Sequence, residues 1–473
     1  FQEIEMLVDN FISYLKKNYT RKFLNNNIVA IHSSASIFSA ISMLACTKLG
    51  LTQCVLFDDL SLEAIKIRLE ILKTKFLITC ASDKDFNSKI IKLKTDLKIK
   101  VLHFKKKNSL KSNKNIKSCI YFDNLMNDKA KFQKYIFVNS NKPSFILFTS
   151  GSTGHPKGII HSTGGYLLYS KYTCIKQFGL NKNKTILTAS DAGWINGHTY
   201  SLYGPLSIGA TTILIEKPIS LISENFLNKI LFELKVNVLY LPVTLIRLIK
   251  SIRSKKRIKS RDLQTLGSMG EPLSKYIGQW FAKTFSEEKI QIINTYYQTE
   301  TAGIICSPRF NDEVSSVPYG SVGRPITKKL GVFIERKLIE SKNEIKIKNP
   351  WPGCMIGIIN KNEKFERYWD ENDNFRMFDV GSLDLNKNFL IHGRTDDVMN
   401  IRGHRIGSEE IESLLLSNKD IIEVSAVAIN DKLEGSKLVV FVSSNKISNF
   451  NNFINNKITN FHGSFAVPSD IIY

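Results

Sequence analysis

Residues Phe145–Gly158 of this 473-residue chain, FILFTSGSTGHPKG, join an apolar run to a loop made of Ser, Thr and Gly. The run reads as a buried strand. The loop offers hydroxyls from Thr149, Ser150, Ser152 and Thr153, backbone N–H groups left uncovered at Gly151 and Gly154, and one cation, Lys157. Many donors, close backbone approach and positive charge suit a polyphosphate. A nucleoside-triphosphatase P-loop needs its lysine followed by Ser or Thr at the start of a helix. Here Pro156 precedes Lys157 and Gly158 follows it, so the spacing excludes that class.

Six further segments combine side chains that packing alone would not demand. Asp191–Tyr200 (DAGWINGHTY) sets polar and aromatic residues around two glycines. Gly267–Pro272 (GSMGEP) ends one apolar run, and Asn294–Glu300 (NTYYQTE) follows another. Glu300 is a natural magnesium ligand. Phe378–Gly381 (FDVG) reads as a turn that places Asp379 to accept from two sugar hydroxyls. Gly393–Val398 (GRTDDV) crosses a domain boundary expected near Arg394–Asp397, and Gly403–Gly407 (GHRIG) lies just beyond it.

The elements that must position these segments follow from periodicity. The first third alternates strand patterns (Ile28–His32, Cys54–Phe57, Phe76–Thr79, Lys100–His103) with helical ones (Phe1–Lys17, Ala35–Lys48, Leu62–Lys73). Such alternation predicts β-α units around a largely parallel sheet. The second third repeats it, with helices at Gly165–Lys176 and Phe226–Leu234 and strands at Thr185–Ala189, Thr211–Ile215 and Val238–Leu241. Lys105–Lys117 reads as a lysine-rich surface loop. After Gly320 the short runs Gly331–Ile334 and Glu344–Ile347, with Gly and Pro turns, predict a small β-rich subdomain that includes strand Phe389–His392. Residues 396–473 read as a small α+β domain with helix Ser408–Ser417 and strands Val424–Ala428 and Lys437–Val442. The fold class is therefore α/β: a large domain over residues 1–395, followed by the small domain.

Composition narrows the function classes. The net charge is +23, from 66 Lys+Arg against 43 Asp+Glu. The lysines are spread along the chain, with local runs only at Lys105–Lys107 and Lys255–Arg257, which argues against a nucleic-acid binder and favours an anionic small ligand. No apolar stretch approaches the ~18 residues of a membrane span. The seven cysteines are isolated and show no CxxC spacing, as expected of a reducing, cytoplasmic setting without zinc or disulfides. The start at Phe1 suggests that the true N-terminus is missing.

In combination these motifs resemble the acyl-adenylate-forming superfamily of acyl-CoA synthetases, luciferases and peptide-synthetase adenylation domains. Within it the likeness is to the acetyl-CoA synthetase family, with propionyl-CoA synthetases next. It is carried by SDAGWINGHTYSLYGPLSIGATT (Ser190–Thr212), WPG (Trp351–Gly353) and GRTDDVMNIRGHRIG (Gly393–Gly407), and spans nearly the whole chain. The resemblance implies two β-α sheet subdomains, a β-barrel-like subdomain and a mobile C-terminal domain. It implies that a short-chain carboxylate attacks the α-phosphate of ATP, and that coenzyme A then takes the acyl group from the acyl-AMP.

The implied roles follow residue by residue. The loop from Thr149 to Gly158 closes over the β- and γ-phosphates, with Lys157 among the catalytic residues. Gly270, Glu271 and Pro272 line the adenine. Asn294, Thr295, Tyr296, Tyr297, Gln298 and Thr299 hold adenine and α-phosphate, with Thr299 on the phosphate and Glu300 on Mg²⁺. Asp379 and Arg394 hold the ribose. Arg405 meets the phosphate after the small domain has swung about a hinge at Asp396. Coenzyme A meets Arg68, Asn196, Arg402 and Gly403. Ile195, Asn196, Met269 and Tyr297 form the acyl pocket.

Three departures from the family pattern stand out. Tyr297 replaces a Trp that floors the acyl pocket and Met269 replaces a Val, so acetate is expected to be preferred with propionate also used. Arg402 stands where a small residue is usual. The chain stops at Tyr473, before a PKTRSGK-type segment whose lysine serves adenylation, so it reads as truncated at both ends. Competing readings are a propionyl-CoA synthetase, an adenylating domain serving a carrier protein, and a degenerate, non-catalytic nucleotide-binding relative.

Overall fold

The computed structural model describes residues 1–105, 119–128, 130–149, 156–252, 258, 260–271, 273, 275–286, 290–312, 317–335, 344–360, 362–394, 398–402, 404–415, 418, 420–431, 435–444 and 450–473. The expected loop after Lys105, the phosphate-loop residues Ser150, Gly151, Ser152, Thr153 and Gly154, and Pro272, Asp396 and Gly403 lie outside them.

The first sheet contains β1 (Val29–His32), β2 (Gln53–Leu56), β3 (Phe76–Thr79), β4 (Lys100–Lys105), β5 (Cys119–Tyr121), β6 (Pro143–Thr149) and β7 (Lys157–Ser162). Its order is β7-β6-β2-β1-β3-β4-β5. Among these seven strands all neighbours are parallel except β6 and β7, which pair antiparallel. Side chains alternate between two buried faces, as the pleat requires. Val29 and Ile31 pack with Phe11 and Ile12 of helix Gln2–Asn18, while Ala30 packs with Ile65 and Leu69 of helix Leu62–Leu72. Helix Ile37–Lys48 starts with a capping box in which Ser36 and Ser39 satisfy each other's backbone N–H.

The second sheet is wholly parallel. It comprises β8 (Thr185–Thr188), β9 (Thr211–Ile213), β10 (Val238–Pro242), β11 (Thr265–Met269) and β12 (Ile292–Asn294), in the order β12-β11-β10-β8-β9. Helix Thr163–Phe178 covers one face through Tyr169, Cys174 and Phe178, and ends at Gly179, whose φ of +62° is the left-handed stop that glycine adopts readily. Leu227, Ile246 and Phe281 cover the other face.

A four-stranded antiparallel sheet follows, formed by β13 (Val332–Glu335) and β14 (Glu344–Ile347) with two later strands. The short β15 (Gly357–Ile358) instead extends the first sheet beside β7. Then come β16 (Phe375–Leu383) and β17 (Phe389–Arg394), which complete the order β13-β14-β16-β17. Here the expected turn at Asp379 is corrected. Asp379 lies inside β16, opposite Arg394, beside a register shift at Val380/Gly381. Asp and Gly, both turn formers, are accommodated by an irregular strand, with Phe378 at φ +53°.

The C-terminal part has its own core of Met399, Ile411, Leu438, Val440, Ile454 and Ile458. It carries the hairpin β18 (Val398–Ile401) and β19 (His404–Gly407), and a sheet of β20 (Ile421–Asp431), β21 (Gly435–Ser444) and β22 (Asp470–Ile472). Most expected elements recur with ends shifted by a few residues. Helices Val243–Ile252, Lys275–Phe285 and Asn451–Phe461 and strand β7 were not among them.

Candidate active site

Ligands of open α/β sheets lie beyond the carboxyl ends of strands. Here β6 ends at Thr149, β11 at Met269 and β12 at Asn294. A cavity of about 1250 Å³ opens there, with Asn400, His404 and Phe465 of the C-terminal part on its far wall. Across it, Asn400 Nδ2 donates to the Gly270 carbonyl at 3.2 Å. Of the residues expected at the site, Thr149, Arg68, Ile195, Asn196, Met269, Gly270, Glu271, Thr295, Tyr296, Tyr297, Gln298, Thr299, Asp379 and Arg394 line this cavity.

The segment Asp191–Tyr200 enters through a π-helical turn at Gly197–Tyr203. Gly197 is required there: a Cβ would sit 2.1 Å from the Asp191 carbonyl oxygen. Gly270 has φ +86° and nothing within 4 Å of a would-be Cβ, so the backbone itself faces open space, as a flat base stacked on it would need. Beside it Glu271 is paired with Arg247 at 2.7 Å; burial raises its pKa, opposed by the guanidinium.

Asp379 is buried, and its Oδ2 accepts from the Tyr296 hydroxyl at 2.6 Å and from Gln298 Nε2 at 2.5 Å. Its Oδ1 is 3.4 Å from Arg394 Nη1. Glu300 is also buried. Its Oε1 accepts from the Tyr368 hydroxyl at 2.7 Å, whereas its Oε2 has no partner. Lys157 Nζ donates to that same Tyr368 hydroxyl at 3.2 Å, so one phenol joins the lysine and the carboxylate. Thr149 Oγ1 is likewise buried without a partner. Among the described residues no group of three or more His, Cys, Asp or Glu could hold a metal. A carboxylate with one uncommitted oxygen nevertheless fits magnesium, which takes one or two carboxylates and completes its shell with water and phosphate oxygens.

Other expected residues sit differently. Asn294 is buried and commits its amide, accepting from Ser268 Oγ at 3.0 Å and donating to the Ser321 carbonyl at 2.9 Å. It therefore braces β11 and β12 rather than lining the cavity. Arg402, at φ +51°, is not among the lining residues; its Nη1 donates to the carbonyl of Phe465, which is, at 3.2 Å. Arg68 donates to the Ala64 carbonyl at 2.9 Å and lies over the Phe148 ring. Arg405 lies on β19, and only its backbone is described.

Three contributors, Tyr368, Arg247 and His161, had no signal in the sequence, and a fourth, Asp191, opens a segment that the sequence singled out without giving the carboxylate a role. Tyr368 and Arg247 lie in segments without a motif. Asp191 is half-buried at the cavity wall, and desolvation pushes its carboxyl up to about 7 against the pull of the Gly193 N–H. His161 looks like a core residue of an apolar strand, yet its Nε2 donates at 2.8 Å to the Thr299 carbonyl. Because a carbonyl only accepts, the proton sits on Nε2, and Nδ1 is a bare buried nitrogen.

Burial pushes the His161 pKa down to about 4 from 6.5; the Thr299 carbonyl and Glu300 act in the opposite direction. Below pH 6.5 the unfolded chain takes a proton that the native chain refuses until about pH 4. Stability should therefore be lost as pH falls through that window, by about 2 kcal/mol at pH 5 from this residue. Urea midpoints at pH 7 and pH 5 will measure the loss, and His161→Gln is expected to reduce it. An unchanged pH slope in that variant would show that His161 does not titrate in this way.

No helix among the described residues is long and apolar enough to cross a membrane. Residues 1–350 match the sequence profile of the family described as AMP-binding enzyme. The chain is similar to the acetyl-coenzyme A synthetase of Psychromonas ingrahamii, at 30% identity over 468 residues, covering 94% of this chain and 71% of that protein. It is similar to the acetyl-coenzyme A synthetase of Rhodopirellula baltica, at 31% identity over 478 residues, covering 94% and 69%. A third relative, the acetyl-coenzyme A synthetase of Vibrio vulnificus strain YJ016, is 31% identical over 472 residues, covering 94% and 70%. With a family match over most of its length and a nucleotide-sized cavity at the strand ends, the chain belongs to the AMP-binding, adenylate-forming enzymes.

Proposed function

We propose that this enzyme joins acetate or another short-chain carboxylate to coenzyme A through an acyl-AMP, releasing AMP and pyrophosphate. ATP use comes with membership of the family. The observation that supports the rest is that Gly270, Thr299, Asp379 and Arg394, expected at the nucleotide, and Asn196, Met269 and Tyr297, expected at the acyl group, line one cavity. The Tyr297 ring is held in place: it packs edge-on to Tyr200 with centroids 5.7 Å apart, and its hydroxyl is tied to Tyr240 and Asn196. A fixed aromatic ring in the lining suits a short acyl chain.

In this reading the acid carboxylate attacks the α-phosphate in line and pyrophosphate leaves. Thr299 and, after rotation of the small domain, Arg405 hold the α-phosphate oxygens. Lys157 and the Thr149 hydroxyl hold the departing phosphates, and Asp379 with Arg394 holds the ribose. Glu300 Oε2 would hold Mg²⁺, which when bound neutralises phosphate charge. His161 keeps the Thr299 carbonyl fixed, so the side chain on the same residue is presented in one orientation.

Acid-dependent ATP–pyrophosphate exchange, followed by thioester formation with coenzyme A, tests the proposal. Relative kcat/KM should fall by about tenfold or more from acetate and propionate to butyrate, since each methylene that must be forced into the pocket costs ~1–3 kcal/mol. A clear butyrate preference would reject the short-chain reading. Transfer to a carrier protein but not to coenzyme A would reject the acceptor.

A further inference from the structure

We propose that Asp191 is the general base of the second half-reaction, taking the proton from the coenzyme A thiol as the sulfur attacks the acyl-AMP. This role rests on the reading of the enzyme as an acyl-CoA ligase. Asp191 is half-buried and lines the cavity. Its Oδ1 accepts from the Gly193 N–H at 2.7 Å. Its Oδ2 has no hydrogen-bond partner among the described residues and is not one of the atoms closed off from the surface. One oxygen fixes the side chain, and the other is left to take a proton.

The carboxyl shares a wall with the acyl residues and with the border of the C-terminal part. Asp191 opens the segment whose Ile195 and Asn196 line the cavity. Trp194 of that segment packs on Phe57 with centroids 4.7 Å apart and faces His404 of the C-terminal part at 5.9 Å. All three rings line the same cavity, together with Asp59.

The surroundings make this carboxylate a stronger base than an ordinary one. Desolvation raises its pKa to about 7, with the Asp58 and Asp59 charges adding to the rise and the Gly193 N–H opposing it. His404 supplies no counter-charge at neutral pH, because burial lowers its pKa to about 4. An aliphatic thiol titrates near pH ~8.5 and is only a few per cent ionised at neutral pH, so a base poised near 7 is suited to it. The step balances. The S–H proton goes to Oδ2, the sulfur–carbon bond forms at the acyl carbon, and the carbon–oxygen bond to the phosphate breaks with its electrons leaving on AMP. Water then takes the proton from the carboxyl.

Thioester formation from supplied acetyl-AMP and coenzyme A isolates this step. In the parent, kcat should rise with pH through about 7 and then level off, as Asp191 ionises. Asp191→Asn keeps an oxygen for the Gly193 N–H but cannot take a proton. Its kcat at pH 7 should fall by about 10²-fold or more, with both KM values changed by less than about threefold. Its rate should climb instead towards the thiol's own ionisation near pH ~8.5. Asp191→Glu places a base at a different point. It should cost part of the rate and move the limb near pH 7, and it keeps the test open if the amide variant does not fold. An unmoved pH profile in either variant overturns the base role, even where the rate falls. An unchanged kcat in Asp191→Asn overturns it as well and leaves the ligase reading standing. A parent enzyme that forms no thioester from acetyl-AMP and coenzyme A overturns both the role and the choice of acceptor.

Discussion

Replacement of Glu300 by Gln is expected to lower acid-dependent ATP–pyrophosphate exchange by about 10²- to 10³-fold, with the fold intact. The structural reason lies in the two carboxylate oxygens. Oε1 takes the Tyr368 hydroxyl at 2.7 Å, a bond that the Gln carbonyl keeps. Oε2 is buried and unpartnered, and in the variant an NH₂ takes its place. A neutral amide leaves the phosphate charge uncompensated and cannot bind a hard cation as a carboxylate does. The loss should be accompanied by a rise in the Mg²⁺ concentration needed for half-maximal rate. Tyr368→Phe separates positioning from charge. It removes the hydroxyl shared by Lys157 and Glu300 while keeping both charges, and should cost about tenfold. An exchange rate in Glu300→Gln within a factor of about three of the parent would eliminate Glu300 as a participant.

Asp379→Ala is expected to raise the KM for ATP by about 10²-fold and to destabilise the protein by about 3 kcal/mol. Asp379 is where two strands and one loop meet. Its Oδ2 receives Tyr296 and Gln298 from the segment after β12, and its Oδ1 faces Arg394 on the paired strand β17. Its side chain is 4% exposed and that of Arg394 15%, so removing the carboxylate takes the counter-charge from a guanidinium and the acceptor from the Tyr296 hydroxyl in a mostly dry place, and leaves Gln298 only the Met377 carbonyl. Breaking a buried pair in this way costs more than the pair itself contributes. Asp379→Asn should be milder, because its oxygen can still accept from Tyr296 and Gln298 while its NH₂ opposes Arg394. The two effects are separable: KM from initial rates and stability from urea midpoints. A stability loss without a change in KM would make Asp379 a structural strut and remove it from the ribose site.

Much of the scaffold was legible because β-α alternation leaves a direct pattern. Strands buried on both faces are short continuous apolar runs, and β3, Phe76–Thr79, appears in the structure with its expected limits. Three helices were not legible, each for its own reason. Val243–Ile252 (VTLIRLIKSI) is rich in β-branched residues that favour strands, and its packing through Ile246 and Ile249 outweighs that preference. Lys275–Phe285 carries an internal glycine. Asn451–Phe461 is rich in asparagine, a weak helix former, and is held by Ile454 and Ile458 in the C-terminal core. Asp379 was misplaced for a related cause: an Asp-Val-Gly sequence reads locally as a turn, and only pairing with β17 makes it a bulged strand.

The sequence by itself determined the adenylate-forming family. Hydroxyls, glycines and a lysine after an apolar strand, with an acidic residue at Glu300 and the GWINGHTY and GRTDD segments, have spacings that local composition does not produce. What it could not contain is which uncommitted atoms remain once the chain has folded. That Glu300 keeps one oxygen free while Asn294 keeps neither end of its amide depends on Tyr368, Ser268 and Ser321, the first two separated from their partners by 68 and 26 residues and the last by 27. Hydrogen bonds saturate, because each proton serves one acceptor well. The set of groups left over for a ligand is therefore a property of the whole network, fixed only when distant segments meet.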